Sequence, residues 1–231
     1  MASRSDSGGD ARRRTRSDRG ESGSGVSRAE KKEQTRQALL DTTIELVDDR
    51  SFGSISLREV ARGAGIVPTA FYRHFASMED LGVTLVEDSM RVLRRGLREA
   101  RRDLPKGVLV PTARDSLRSL IKQVRADEAK FRFLVREQHG GVAEVRRAID
   151  TELRLFSREV AIDMARVPAL AGWDTEDLEV VAELFVTIMT SAVAELVDGD
   201  GRPDAESAII RRTEKQLVLV VLGMGQWHGR E

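Results

Sequence analysis

The sequence predicts an all-α protein, and three observations carry that prediction. Apolar residues recur at helical spacing along most of the chain, and the alternation of a strand persists nowhere. Only 5 of 231 residues are Pro, while Leu, Val, Ala, Arg and Glu are abundant. One helix-start signal, a Ser followed three residues later by an acid, stands at Ser27, Ser56 and Ser77.

Bulk properties narrow the function classes. With 40% hydrophobic residues the chain can bury a sizeable core, as one large domain or as a small and a medium one. Lys plus Arg and Asp plus Glu both number 38, so global charge announces no nucleic acid and any basic surface must be local. The absence of Cys excludes disulfides and thiolate metal sites. His74, His139 and His228 have no metal-ligand spacing. Gly223-Met224-Gly225 follows a helical pattern rather than a strand, so it is no dinucleotide fingerprint. Nothing here suggests an enzyme or a cofactor. The N-terminus shows no apolar leader. The most apolar stretch, 178–197, is broken by Glu179, Glu183 and Glu195 and reads as too short and too charged to span a membrane. The expectation is a cytoplasmic protein with no membrane partner.

Residues 1–26 lack an apolar period and read as a disordered tail. Arg12, Arg13, Arg14, Arg16 and Arg19 make it basic, which suits either an arm on DNA phosphates or a solvated leader. The first helix starts at the capping box Ser27–Glu30 and runs to about Asp49, with Leu39, Thr42, Thr43, Leu46 and Val47 facing inward. A second capping box, Ser56–Glu59, opens a short helix ending near Gly63. Ala64-Gly65-Ile66 is a turn, and a third helix starts at Val67 or Pro68, where Pro costs nothing. Ser77 then caps a long fourth helix reaching Arg102, with Asp80 in its first turn. After a break at Pro105-Lys106-Gly107, helices are expected at 111–124, 127–138, 142–166, 175–198 and 204–224. Three parts follow: a tail over 1–26, a helix-turn-helix unit over 27–76, and a ligand-binding and dimerisation unit over 77–231.

Residues 57–75 have the physical needs of a helix-turn-helix. Ala61 is small where two helices approach, Gly65 can take a left-handed turn conformation, and Val60, Ile66 and Phe71 can close a mini-core. The third helix would then present Thr69, Tyr72, Arg73 and His74 to phosphates and base edges. An ordinary helical hairpin shares some of these features, since Phe71 and Phe75 would be core in either case.

The run Ser56-Leu-Arg-Glu-Val-Ala-Arg-Gly-Ala-Gly-Ile-Val-Pro-Thr-Ala-Phe-Tyr-Arg-His-Phe75 resembles the DNA-binding domain of the TetR family of regulators. Lys31 through Leu85 resembles more closely that family's repressors of unsaturated fatty acid synthesis. The basic first helix, Lys31-Lys32-Glu33-Gln34-Thr35-Arg36, and the stretch Phe71 to Gly82 carry this likeness; Phe131 to Glu137 carries it more weakly. The resemblance implies a nine-helix homodimer with three helices for DNA and six for ligand and dimerisation. It implies DNA contacts at Thr69, Tyr72 and His74, with Arg58 on the second helix and Lys31 or Arg36 on the first. Many members carry a Lys at the start of the fourth helix; this chain has Ser77-Met78-Glu79-Asp80 there, and Met78 is expected to pack instead.

In the second unit, the helix at 175–198 is apolar almost all round over residues 178–194, and the last helix carries Leu217 to Leu222. Two such helices per subunit suit a four-helix dimer interface, and palindromic operator DNA would match the two-fold. A pocket between the long helices would be lined by Phe131, Phe133, Leu134, Phe156, Phe185 and Met189. Arg132 and Arg136 at its mouth could meet phosphates, as an acyl-CoA ligand requires. The expected function is a regulator, a repressor of lipid or fatty acid genes, answering to acyl-CoA. A sensor of drugs or other small hydrophobes in the same fold is the alternative; a nonspecific architectural DNA binder would not need so large a second unit.

Overall fold

The computed structural model describes residues 27–102, 109–199 and 202–227, without the side chains of 99–102. The basic tail, the Pro105–Gly107 break, Asp200-Gly201 and His228 lie outside the described residues. Nine α-helices and no strand occur among the described residues: α1 (Arg28–Leu46), α2 (Leu57–Gly63), α3 (Pro68–Phe71), α4 (Met78–Arg102), α5 (Leu109–Ala126), α6 (Glu128–Glu137), α7 (Ala143–Ala165), α8 (Thr175–Asp198) and α9 (Pro203–Met224). Short 3-10 turns at Phe52–Ser54 and Pro168–Leu170 interrupt the connections.

The predicted start signals set the first boundaries. Ser27 Oγ accepts from the Glu30 N–H at 3.1 Å while the Glu30 carboxylate accepts from the Ser27 N–H at 2.6 Å. Two otherwise orphaned donors are satisfied at once. At α4 the Asp80 N–H donates to Ser77 Oγ at 3.2 Å, and the Asp80 carboxylate reaches back to the Ala76 N–H at 2.8 Å. The end of α1 differs from expectation: the helix stops at Leu46 rather than near Asp49. The Arg136 guanidinium of α6 takes the Val47, Asp48 and Arg50 carbonyls, at 2.6, 3.1 and 3.1 Å. A side chain from elsewhere in the fold thus finishes the helix.

One core runs through the molecule, from Leu39 and Val60 through Phe71 and Leu85 to Phe133, Ile149 and Val197. The three N-terminal helices therefore share apolar packing with the rest. Two satellite clusters form around Leu170 and Ala182, and around Leu117 and Leu217; Phe185 packs on both. Helix α8 is central, packing on α5, α6, α7 and α9. By length and composition alone it is apolar enough to cross a membrane, which corrects the expectation drawn from its three Glu residues. Here it serves as a core helix with one bare side: Val180 and Leu184 are exposed, as are Leu219 and Leu222 of α9.

Candidate DNA-reading surface and ligand cavity

Local chemistry fixes the angle between α2 and α3. Ser56 Oγ accepts from the Glu59 N–H at 3.3 Å, and Glu59 Oε2 accepts from the Ser56 N–H at 2.9 Å and its hydroxyl at 2.8 Å. Arg50 donates to the other Glu59 oxygen at 2.9 Å, tying the preceding loop to α2. The Ser56 N–H, then its hydroxyl, then Arg50 stabilise the carboxylate and hold its pKa down at about 2. The turn depends on Gly65, whose φ of 69° is costly for residues with a Cβ. The Gly65 and Ile66 N–H groups bond back to the Arg62 and Ala61 carbonyls at 3.1 and 2.9 Å. The chain then leaves extended at Val67 and enters α3 at Pro68. Val60, Ala61 and Phe71 are fully buried between the helices, with Ile66 packed against them.

The expected reading residues fall in different places. Thr69, Arg73, Arg58 and Lys31 are exposed. Tyr72 is 63% exposed, an unusual position for an aromatic ring, and stands edge-on to Phe71 with centroids 5.7 Å apart. Regular helix ends at Phe71, shorter than expected; His74 and Phe75 continue as turns bonded to the Phe71 carbonyl at 2.8 and 3.1 Å. His74 is half-buried rather than exposed, and its Nδ1 has no hydrogen-bond partner. Burial first, then the nearby Lys32, Arg36 and Arg73 charges, push its pKa below the ordinary histidine value. Arg36 differs most from its expected role. Its guanidinium lies 5.2 Å over the Phe75 ring and faces Glu33 and Asp88, each at 3.9 Å, so it braces α1 against α4. Met78 packs on the core, as the missing Lys suggested.

In the larger unit an apolar cavity of about 130 Å³ lies among α4, α5, α7, α8 and α9. Phe156, Phe185 and Met189 line it, as the sequence suggested. A second cavity of about 60 Å³ abuts it, walled by Phe131, Leu134 and again Phe156 and Met189. Three expected ligand residues stand elsewhere. Phe133 is fully buried on the other side of α6, edge-on to Phe52 at 6.1 Å. Arg132 pairs with Glu128 and with Asp48, the latter at 3.5 Å, and Arg136 finishes α1. Neither Arg lines either cavity. The polar lining is Thr112, Ser116 and Asp163 in the first cavity and Gln138 and Thr190 in the second.

Sequence reasoning passed over the joint between the two units. Glu137 is buried, and its Oε1 accepts the Phe52 N–H at 2.8 Å. Phe52 enters because Gly82 of α4 leaves room: a Cβ there would meet the Phe52 ring at 2.7 Å. Arg136-Glu137 beside a helix end was a visible pair of charges, but its partners lie more than 80 residues upstream.

Residues 39–82, the helix-turn-helix and its flanks, match the model of the family described as bacterial regulatory proteins, tetR family. This is a TetR-family segment. The described residues have the TetR-like fold. The fatty acid degradation regulator FadR from Bacillus halodurans superposes with a TM-score of 0.66 at 14% identity, over 80% of this chain and 94% of that one. A TetR-family transcriptional regulator from Streptomyces coelicolor gives 0.65 at 19% identity, over 84% and 97%. FadR from Bacillus subtilis in complex with stearoyl-CoA gives 0.64 at 15% identity, over 81% and 98%. The family model thus covers the helix-turn-helix segment, and the solved structures share the fold.

Proposed function

We propose that the chain is a homodimeric repressor that binds palindromic operator DNA and answers to a fatty acyl-CoA, in the cytoplasm, controlling genes of lipid metabolism. The observation that carries this reading is an exposed Tyr72 on a helix-turn-helix, joined through one core to a cavity-bearing helical unit. Thr69, Tyr72 and His74 read the operator, with Arg58 and Lys31 on the flanking phosphates. The bare apolar sides of α8 and α9, at Val180, Leu184, Leu219 and Leu222, pack on a second copy.

The ligand reading draws on two supports. The lining suits a neutral hydrocarbon chain, and each buried methylene would contribute about 0.8 kcal/mol. Structural neighbours include regulators whose names or bound ligands concern fatty acids and stearoyl-CoA. One observation favours a second reading, a sensor of small hydrophobic drugs: among the described residues no Arg or Lys lines the cavities. In the first reading the CoA phosphates stay outside, met by surface cations.

Isothermal titration with a chain-length series of CoA thioesters, read beside operator gel shifts, tests the proposal. Affinity should rise with chain length, free CoA should bind poorly, and Phe185→Asp should abolish the response while operator binding persists. Absence of thioester binding at every length would leave the drug-sensor reading.

A further inference from the structure

The two cavities meet at one wall. Leu97, Phe156, Val186 and Met189 line both, and three of these four are buried and held in the core. Met189 is half-buried, unbranched and soft, so it can change rotamer at little cost. The first cavity, called the outer chamber because no residue of α6 lines it, is the larger, and its polar lining residues are Thr112, Ser116 and Asp163; the second, against α6, is called the inner chamber. Asp163 is paired with Arg166 at 3.3 Å. Both chambers are lined almost wholly by apolar surface, and one wall of the inner chamber is α6, through Phe131, Leu134 and Gln138.

Helix α6 has a second task on its other side. One residue before Gln138 and two after Val135, the chain presents Glu137 to the Phe52 N–H; Arg136 beside it holds three carbonyls at the end of α1. Glu137 Oε2 has no partner although it is buried, so this joint sits close to breaking even. A group that swells the inner chamber presses on the element that holds the three-helix unit. A group confined to the outer chamber does not touch it.

We propose that Met189 divides a single two-chamber site for a chain-shaped ligand, and that only an acyl chain long enough to displace it and fill the inner chamber reaches α6 and alters DNA binding. This rests on the acyl-thioester reading above and adds its specificity: short chains bind without effect, long chains bind and signal. Chain length is thus measured by a side chain in the middle of the site.

The test uses the full-length protein and CoA thioesters from butyryl to stearoyl. In the native protein affinity should rise about fourfold per methylene across the series, that being the affinity equivalent of one buried methylene. Operator affinity at saturating ligand should change only for the longer members. Met189→Trp should halt the rise part-way and abolish the operator response. Thr190→Phe, which fills the inner chamber from a half-buried position, should do the same should the Trp variant fold poorly. An unchanged length dependence and operator response in folded Met189→Trp or Thr190→Phe overturns the partition alone. An equal operator response to saturating short and long thioesters in the native protein also overturns it. Failure of every thioester to bind the native protein overturns the acyl-CoA reading beneath it.

Discussion

The three-helix unit and the six-helix unit are built by different means. Around α2 and α3 nearly every angle is set by a local device: the Ser56–Glu59 box, the left-handed Gly65, Pro68 at the first helical position, and Phe71 locked in a small core. The larger unit has long helices that are apolar on several sides, two cavities, and an uncovered side. The first is stiff and presents a few side chains in fixed places. The second is packed loosely enough to have alternative fillings. This chain separates the two kinds of construction into neighbouring regions that share a core.

Three perturbations probe that separation, the largest first. Replacing Leu219 and Leu222 together with Glu places charge on the bare side of α9. The pair should give monomers in sedimentation, with operator affinity falling toward nonspecific levels, roughly a thousandfold or more. Dimers that persist would show that the subunits meet elsewhere. Tyr72→Ala should weaken operator binding by about 1–3 kcal/mol at matched salt, with thermal stability and thioester affinity unchanged. A loss of thioester affinity in that variant would mean that the stiff region and the hollow one are more tightly bound than their construction suggests.

The smallest effect is a pH dependence confined to the reading surface. Burial, then Lys32, Arg36 and Arg73, hold His74 below its ordinary 6.5, and Glu33 offsets this in part. In the free protein the neutral ring is favoured, so its contribution to stability is present above 6.5 and is lost as pH falls through the lowered folded value. A DNA phosphate raises the same pKa, so binding takes up a proton. Operator affinity should therefore rise as pH falls, by at most about tenfold per unit for one proton, and the rise should vanish in His74→Gln. A flat profile in the native protein would remove His74 from the phosphate contacts.

Much of the stiff region was legible in the sequence because its devices are short-range. A Ser and an acid three apart, or a Gly between two helical patterns, state their role within a few residues. The span of α8 was legible for a similar reason, since Asp174 and Gly199 mark its ends. The cavity was legible only in part. Phe131 and Phe133 are two residues apart on one helix, so they point to nearly opposite sides, and nothing local says which side is hollow. The structure puts Phe131 at the cavity and Phe133 against Phe52. Arg132 and Arg136 look like phosphate ligands by type, but their partners are Asp48 and three carbonyls that the chain supplied more than 80 residues earlier. Arg36 was similarly opaque, because Phe75 and Asp88 come to it only in the folded state.

The Arg136–Glu137 joint bears on how freely the three-helix end could be exchanged between chains of this fold. A graft cut at Ser77 would carry the end of α1 with three carbonyls stripped of their donor, a Phe52 N–H without its acceptor, and a Phe52 ring without its Phe133 neighbour. The recipient's helix in that position would need an Arg and a Glu in the same register, and a Gly opposite Phe52. What travels as a module is therefore the three helices together with the matching face of α6, two stretches of sequence that would have to be transplanted as a pair.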